Sequence, residues 1–380
     1  MRVFVIAGEP SGDRLGGALM AGLKALAPDV EFDGIGGAQM AEQGLISRFD
    51  MDELSIMGLA EVAPKYFHLK RRIAQTAAQV IEARPDVLIT IDSPDFCLRV
   101  AKLVKAARDI PTVHYVAPSV WAWRPGRAKK MAPVIDHVLA LLPFEPPLMR
   151  SAGMTCDFVG HPVVAEPQAS ADEVTAFRAD YGLGTAPIML ALPGSRRGEV
   201  TRLAPVFGAA LRAFLSDHPD MRVVVPAAGP VAGLVRDLVA DWPGNPVVLD
   251  PATSGAAHKR AAFATANLAL AASGTVSLEL AASATPMVIA YDFNKLSRMI
   301  FRRMVQIDTV TLVNLVSETR NVPECLLEAC RPELIAAELT KVWHSPGRQQ
   351  QAMDLTISRL GKGDEAPGLR AARSVLTQLS

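Results

Sequence analysis

The stretch Ile91-Asp92-Ser93-Pro94-Asp95-Phe96 follows an apolar, β-branched run. Proline suits the first helical turn and serine the N-cap, so Ser93 is expected to cap a helix that Pro94 opens. Asp92 is then left at a strand's carboxyl end with no capping duty. A carboxylate there can take a proton from a hydroxyl as a general base, or it can order the loop by accepting backbone N–H groups. An earlier loop, Gly8-Glu9-Pro10-Ser11-Gly12-Asp13, also ends a strand. Its spacing is not G-x-G-x-x-G, and Glu9 would repel a pyrophosphate, which argues against a dinucleotide. Carboxylates on Glu9 and Asp13, with Ser11 and Gly12 between them, suit the hydroxyl groups of a sugar. The alternative is that they cap the helix start.

The second half offers groups of the opposite character. Pro193-Gly194-Ser195-Arg196 makes a turn of phosphate size, and Arg196 can set a forked guanidinium on a diphosphate. Ser273-Gly274-Thr275 begins a helix whose free N–H groups favour anions. Glu279, just over one turn later, can accept from two vicinal ribose hydroxyls. Asp92, Glu9 and Arg196 form the candidate catalytic set. Ser11, Gly12, Asp13, Ser195, Ser273, Gly274, Thr275 and Glu279 are candidate substrate contacts. Trp121 and Trp123, beside Arg124 and Arg127, can face a sugar ring or acyl chain, or simply pack. Asp50-Met51-Asp52 matches a D-x-D metal pattern. It lies in an acidic stretch far from the phosphate-type loops, and no metal is expected to bind there.

These loops need strands to present them. Val3–Ala7, Asp86–Ile91, Thr112–Val116 and His137–Leu142 read as buried strands, with amphipathic segments Glu61–Arg84 and Phe96–Arg108 between them. After a linker running from Gly160-His161-Pro162 to Ser170 the alternation restarts. Ile188–Leu192, Arg222–Pro226, Val247–Leu249, Leu268–Ala271 and Met287–Ala290 read as strands, and the chain from Pro332 onward reads as helical. Continuous apolar strands alternating with helices imply parallel sheets covered on both faces. The expected class is α/β, with two Rossmann-like doubly wound domains over 1–165 and 171–345 and a helical tail over 346–380. In such sheets ligands gather at the strands' carboxyl ends.

Composition narrows the function further. The 380 residues are half apolar, and Lys plus Arg balance Asp plus Glu at 39 each, so no global basic field draws the chain to nucleic acid. Cys97, Cys156, Cys325 and Cys330 are scattered and read as small buried hydrophobes rather than metal ligands. The first residues meet Glu9 and Asp13 too soon for a signal peptide, and no apolar run approaches a membrane span. A cytoplasmic location is expected.

Taken in order, the motifs resemble the lipid-A-disaccharide synthase family over nearly the whole chain. The likeness runs through Ala7–Asp13, Gly34-Ile35-Gly36-Gly37, Leu54-Ser55-Ile56-Met57-Gly58, Ile91–Phe96, Pro118–Arg124, Leu142-Pro143-Phe144-Glu145, Val159-Gly160-His161-Pro162, Pro193–Arg196 and Ala272–Glu279. The resemblance implies a GT-B fold, with two Rossmann-like domains facing a cleft. It also implies an inverting, cofactor-free transfer from UDP-2,3-diacylglucosamine to 2,3-diacylglucosamine 1-phosphate (lipid X), giving a β-1′,6-linked disaccharide 1-phosphate and UDP. The loops of Arg196 and of Ser273–Glu279 would hold UDP, with Asn314 a further substrate contact, and the N-terminal domain would receive the acceptor. The chain departs from the family's common residues at Cys97 (often Asn), Val313 (Pro) and Asp292 (Arg), which leaves the local roles of Asn314 and Asp292 open. A UDP-sugar epimerase, another lipid-linked-sugar transferase and a non-catalytic UDP-sugar-binding regulator are the rival readings.

Acylated substrates place the work at the inner face of the cytoplasmic membrane, and a homo-oligomer stays open. One apolar and basic segment sets Ile56, Met57, Leu59, Val62, Tyr66, Phe67 and Leu69 beside Lys65, Lys70, Arg71 and Arg72. A second sets Leu296, Met299, Ile300 and Met304 beside Lys295, Arg298, Arg302 and Arg303. The first, in the acceptor domain, is the favoured anchor.

Overall fold

The computed structural model describes residues 1–54, 59–122, 124, 126–293 and 307–379, with residues 59–66 described as backbone only. Ile56, Met57, Trp123 and the whole of the second apolar and basic segment lie outside the described residues, as do the side chains of Leu59, Val62, Lys65 and Tyr66.

The described chain forms two compact units, Met1–Ala165 with Leu360–Ser380, and Glu166–Arg359. Unit 1 holds β1 (Arg2–Ala7), β2 (Glu31–Ile35), β3 (Val87–Ile91), β4 (Thr112–Tyr115), β5 (His137–Ala140) and β6 (Thr155–Phe158). Unit 2 holds β7 (Ile188–Leu192), β8 (Arg222–Pro226), β9 (Val247–Leu249), β10 (Leu268–Ala271), β11 (Met287–Tyr291) and β12 (Glu324–Leu326). Each set makes one six-stranded sheet, in the orders β2-β1-β3-β4-β5-β6 and β12-β11-β10-β7-β8-β9, and every pairing is parallel. Central strands such as β3 and β7 are buried at every residue. Fully burying each Val, Leu or Ile there contributes about 1.5–3 kcal/mol, which is why their sequences run apolar without alternating.

The strand orders fix where ligands can gather. In unit 1 the chain leaves β1 toward β2 and returns to place β3 on β1's other side. In unit 2 it leaves β7 toward β8 and β9, then returns to lay β10 against β7. Each sheet therefore has one reversal point, between β1 and β3 and between β7 and β10, where diverging helices leave a crevice at the strand ends. The register pairs Ala7 with Ile91 and Leu192 with Ala271, so the loops that follow start side by side.

The expected tail is shared between the units. Helices Pro332–His344 and Gly347–Arg359 belong to unit 2, where the Thr356 hydroxyl donates to the Val313 carbonyl at 3.1 Å. Helix Pro367–Leu379 instead lies along helix Pro10–Leu26 of unit 1. A Cβ on Gly22 would stand 2.6 Å from the Gly368 carbonyl oxygen, and one on Gly368 would stand 2.5 Å from that of Ala18. The two backbones touch because neither glycine carries a side chain. Beside them His137 Nε2 and the Ser374 hydroxyl lie 2.8 Å apart, and that hydroxyl donates to Asp157 at 2.7 Å.

Candidate active site

The β3 loop of unit 1 is held under strain. Asp92 and Ser93 both have left-handed backbones, with φ of +51° and +42°. Successive non-glycine residues in this region are uncommon and gather at functional sites. Pro94 opens helix Pro94–Ala107 as expected, but Ser93 makes no capping hydrogen bond. Its left-handed backbone turns the hydroxyl inward, where it is buried without a hydrogen-bond partner, 2.6 Å from where a Cβ on Gly8 would sit. The expected serine cap is therefore corrected, and a side chain at Gly8 would have to displace the Ser93 hydroxyl.

Asp92 stands half-buried at the strand end, its N–H donating to the Tyr115 carbonyl at 3.0 Å. Burial raises its pKa above the ordinary carboxylate value, partly opposed by the Ser93 N–H that its carboxylate accepts. Cys97, where the family often has Asn, is fully buried beneath the loop, and its thiol is pushed far up by burial and by the charge of Asp92. It is inert packing.

The β1 loop divides its residues between two tasks. Glu9 is half-buried at the N-cap of helix Pro10–Leu26 and makes no side-chain capping bond. Ser11 is exposed on the first turn, and Gly12 is buried against β3, where an added Cβ would lie 3.5 Å from the Ile91 carbonyl oxygen. Asp13, an expected sugar contact, also has a structural task. It is 5% exposed, and its carboxylate accepts the backbone N–H groups of Gly37 (2.7 Å), Gln39 (2.9 Å) and Met40 (3.1 Å). It spends its lone pairs fixing the turn after β2. Asp50 accepts the Asp52 N–H at 2.9 Å, and both line a cavity of about 520 Å³ with Gly36, Ser47 and Phe49.

The tryptophan loop hides a carboxylate that the sequence reading passed over. Val116, a β-branched residue with φ +86°, turns the chain after β4. Trp121 then lies edge-on to Phe144 and donates its indole N–H to Glu145 at 3.2 Å. Glu145 is buried and its pKa is raised to about 7 by desolvation, against the lowering pull of the Leu142, Trp121 and Leu141 N–H groups. Trp121 is thus tethered by packing and a buried acid. An acidic residue embedded in Leu142-Pro143-Phe144-Glu145 was the available signal.

In unit 2 the loop after β7 brings Arg196 to the start of helix Arg197–Leu215, with its side chain 62% exposed. Two backbone amides of this turn are already occupied. Glu199 Oε2 accepts the Ser195 and Arg196 N–H groups at 3.2 and 3.3 Å. Its Oε1 accepts the Arg196 guanidinium at 3.1 Å and the Tyr291 hydroxyl at 3.0 Å. On the neighbouring β10 loop Ser273 is half-buried, Gly274 (φ +155°) and Thr275 are exposed, and a Cβ on Gly274 would meet nothing within 4 Å. The space above this loop is open. Glu279 lies 2.6 Å from Lys259 Nζ.

Asn314 is 1% exposed. Its amide donates to the Val322 carbonyl (2.9 Å) and the Thr309 hydroxyl (3.2 Å), and accepts the Val322 N–H (3.0 Å). Those bonds staple a turn of unit 2, a structural task that Asn314 carries whatever its part in substrate binding. Arg202 reaches the carbonyl of Asp292 at 3.0 Å, so a guanidinium stands beside the position where the family often has arginine.

Solved structures share this architecture at low identity. They include UDP-GlcNAc 2-epimerase from Neisseria meningitidis bound to UDP-GlcNAc (TM-score 0.63, 11% identity, covering 100% of this chain and 99% of that one). Anabaena Alr3699/HepE in complex with UDP and glucose is another (TM-score 0.56, 12% identity, 100% and 98%). At such identity the likeness speaks to the fold, two parallel doubly wound units of the GT-B kind. Sequence relatives are far nearer. Lipid-A-disaccharide synthase of Ruegeria pomeroyi is 70% identical over 383 residues, covering 100% of this chain and 96% of the relative. That of Rhodospirillum centenum is 47% identical over 384 residues, covering 100% and 94%. Residues 3–369 match the family described as lipid-A-disaccharide synthetase. With that match running through both strand-end loop pairs, the chain belongs to the lipid-A-disaccharide synthase family.

Proposed function

We propose that the protein joins UDP-2,3-diacylglucosamine to lipid X with inversion, releasing UDP. The observation that carries this reading is the placement of complementary chemistry at the two sheet reversals of a chain of this family. A half-buried carboxylate of raised pKa stands at β3, and an exposed guanidinium beside an open helix start stands at β7 and β10. Unit 1 receives the acceptor, and Asp92 takes the proton of its 6-hydroxyl as the oxygen attacks the donor's anomeric carbon. A base whose pKa is raised toward the working pH accepts that proton more readily. Glu9 flanks the same loop and orients acceptor hydroxyls together with Ser11. In unit 2 the departing diphosphate meets Arg196 and the Ser273–Thr275 start, two preorganised elements aimed at developing negative charge.

Mass spectrometry of a reaction containing both sugars tests the reading, with the disaccharide 1-phosphate and UDP as the expected products. Conversion of the donor without acceptor would indicate an epimerase, and UDP-sugar binding without product a regulator. Excess EDTA and Asp50→Ala are both expected to leave turnover intact. Loss on chelation, restored by magnesium or manganese, would reverse the metal-free assignment.

Glu279 is placed on the ribose. A hydrogen bond to a charged acceptor contributes about 1.5–3 kcal/mol, so wild type should prefer UDP over its 2′-deoxy analogue by at least about tenfold, and Glu279→Ala should bind the two alike. Equal discrimination in the variant would move the ribose elsewhere.

The membrane contact is placed on helix Leu59–Ala83. Phe67 is 81% exposed, with Lys70 and Arg71 exposed beside it. Arg72 is already used, since its guanidinium pairs with Glu53 at 2.5 Å and stands over the Phe49 ring. Leu69 packs against the core. Among the described residues no helix is long and apolar enough to cross a membrane. Anionic vesicles should float the parent at low salt, and Phe67→Ser should reduce flotation severalfold. Equal flotation would exclude Phe67 as the anchor.

A further inference from the structure

Glu199 is an unexpected neighbour for a phosphate-binding group. Backbone N–H groups at a helix start can receive an incoming anion or a capping side chain, and here those of Ser195 and Arg196 both donate to Glu199 Oε2. The other oxygen lies between the Arg196 guanidinium and the Tyr291 hydroxyl. The carboxylate's side chain is only 14% exposed, whereas that of Arg196 is 62% exposed. The loop is built around this contact. Gly194 has φ +121°, and a Cβ there would lie 2.7 Å from the Cβ of Glu199. Tyr291 ends β11, which pairs with β10, so the anchor reaches Arg196 from the strand beside the one that carries Ser273–Thr275.

We propose that Glu199 is a positioning residue for the donor site, holding the Arg196 fork, together with Tyr291, ready for the diphosphate. The proposal rests on the reading of Arg196 as the diphosphate ligand. A long exposed arginine loses rotamer freedom when it binds, and one already held at one nitrogen loses less.

UDP affinity of the full-length protein is the measurement, by titration calorimetry on wild type, R196A, E199A, E199Q, Y291F and the R196A/E199A double variant, each checked for a native melting transition. Glu199→Ala should weaken UDP by about tenfold, and Glu199→Gln, which still accepts the backbone N–H groups, by less. Tyr291→Phe should weaken it by a few-fold. In the R196A background, removing Glu199 should change affinity by less than about twofold, because its effect acts through that arginine. Tighter or unchanged UDP binding in E199A, with R196A clearly weakened, would overturn the proposal alone. So would an equal loss from E199A whether or not Arg196 is present, since that would mark a role in loop shape only. Wild-type affinity in R196A would overturn the diphosphate reading and the proposal with it. If E199A does not fold, E199Q and Y291F carry the same comparison.

Discussion

Asp92→Asn is expected to lower turnover by at least about 10²-fold while UDP binds as before. The side chain keeps its size and its acceptor oxygen for the Ser93 N–H, so the loop should hold its shape. What disappears is the ability to take a proton. The pH dependence gives a second signature. Burial raises the Asp92 pKa, so wild-type activity should rise with pH through a limb displaced upward from the ordinary aspartate value, and the variant's residual activity should lack that limb. Stability gives a third. A carboxyl whose folded pKa exceeds its unfolded value contributes most below the unfolded pKa of about 3.9, and that contribution is lost as pH rises through the folded pKa. At neutral pH the ionised Asp92 is therefore a burden on the fold, and Asn should leave thermal stability equal or higher. Slower turnover with an undiminished melting temperature marks a group kept for function. Near-normal turnover would remove Asp92 from the mechanism.

Arg196→Ala should weaken UDP and cut turnover by about 10²–10³-fold, the usual cost of losing a donor aimed at developing charge. Lysine at this position keeps the charge but loses the planar fork, so Arg196→Lys should recover only part of the loss. Arg197, exposed one residue later at the first position of the helix, is the control. Arg197→Ala should bind UDP and turn over within a few-fold of wild type, as surface changes usually do. Equal losses in the two alanine variants would mean that only the loop's general positive potential matters. A lipid X affinity falling in step with UDP in R196A would place the arginine on the wrong substrate.

Where the sequence was legible and where it was not follows from burial. β7, β8, β9 and β10 match their expected bounds, and β1, β3, β4, β5 and β11 fall within a residue or two, because these mostly interior strands are continuous apolar runs. The strands left unread were β2 (EFDGI), β6 (TCDF) and β12 (ECL). All of them are sheet edges. An edge strand is covered on fewer sides, tolerates Asp, Glu and Gly, and carries neither the long apolar run nor a clean alternation. The site divided in the same way. Loops at strand ends could be placed from Gly, Ser and Pro punctuation, whereas the partner of each carboxylate could not. Asp13 meets the turn after β2, an unread strand, and Glu199 meets Tyr291 from across the sheet. Asn314 was suggested by the family resemblance alone, and only tertiary structure reveals that its amide also ties Thr309 and Val322 together.

The pairing of helix Pro10–Leu26 with helix Pro367–Leu379 has a bearing on synthesis. Unit 1 is discontinuous in the chain, and residues that complete its core, Ala371, Ala372 and Val375, are made only after the whole of unit 2. A ribosome adding roughly 5–20 residues per second needs on the order of ten to forty seconds to pass through unit 2 before it reaches them. Unit 2, contiguous over Glu166–Arg359, has its full complement of residues first, reversing the usual N-terminal lead. During that interval the apolar flank of the first helix, with Gly22 at its centre, waits uncovered on the nascent chain. A transcript truncated after the Arg359 codon would therefore release a protein whose earliest-made half is the unfinished one.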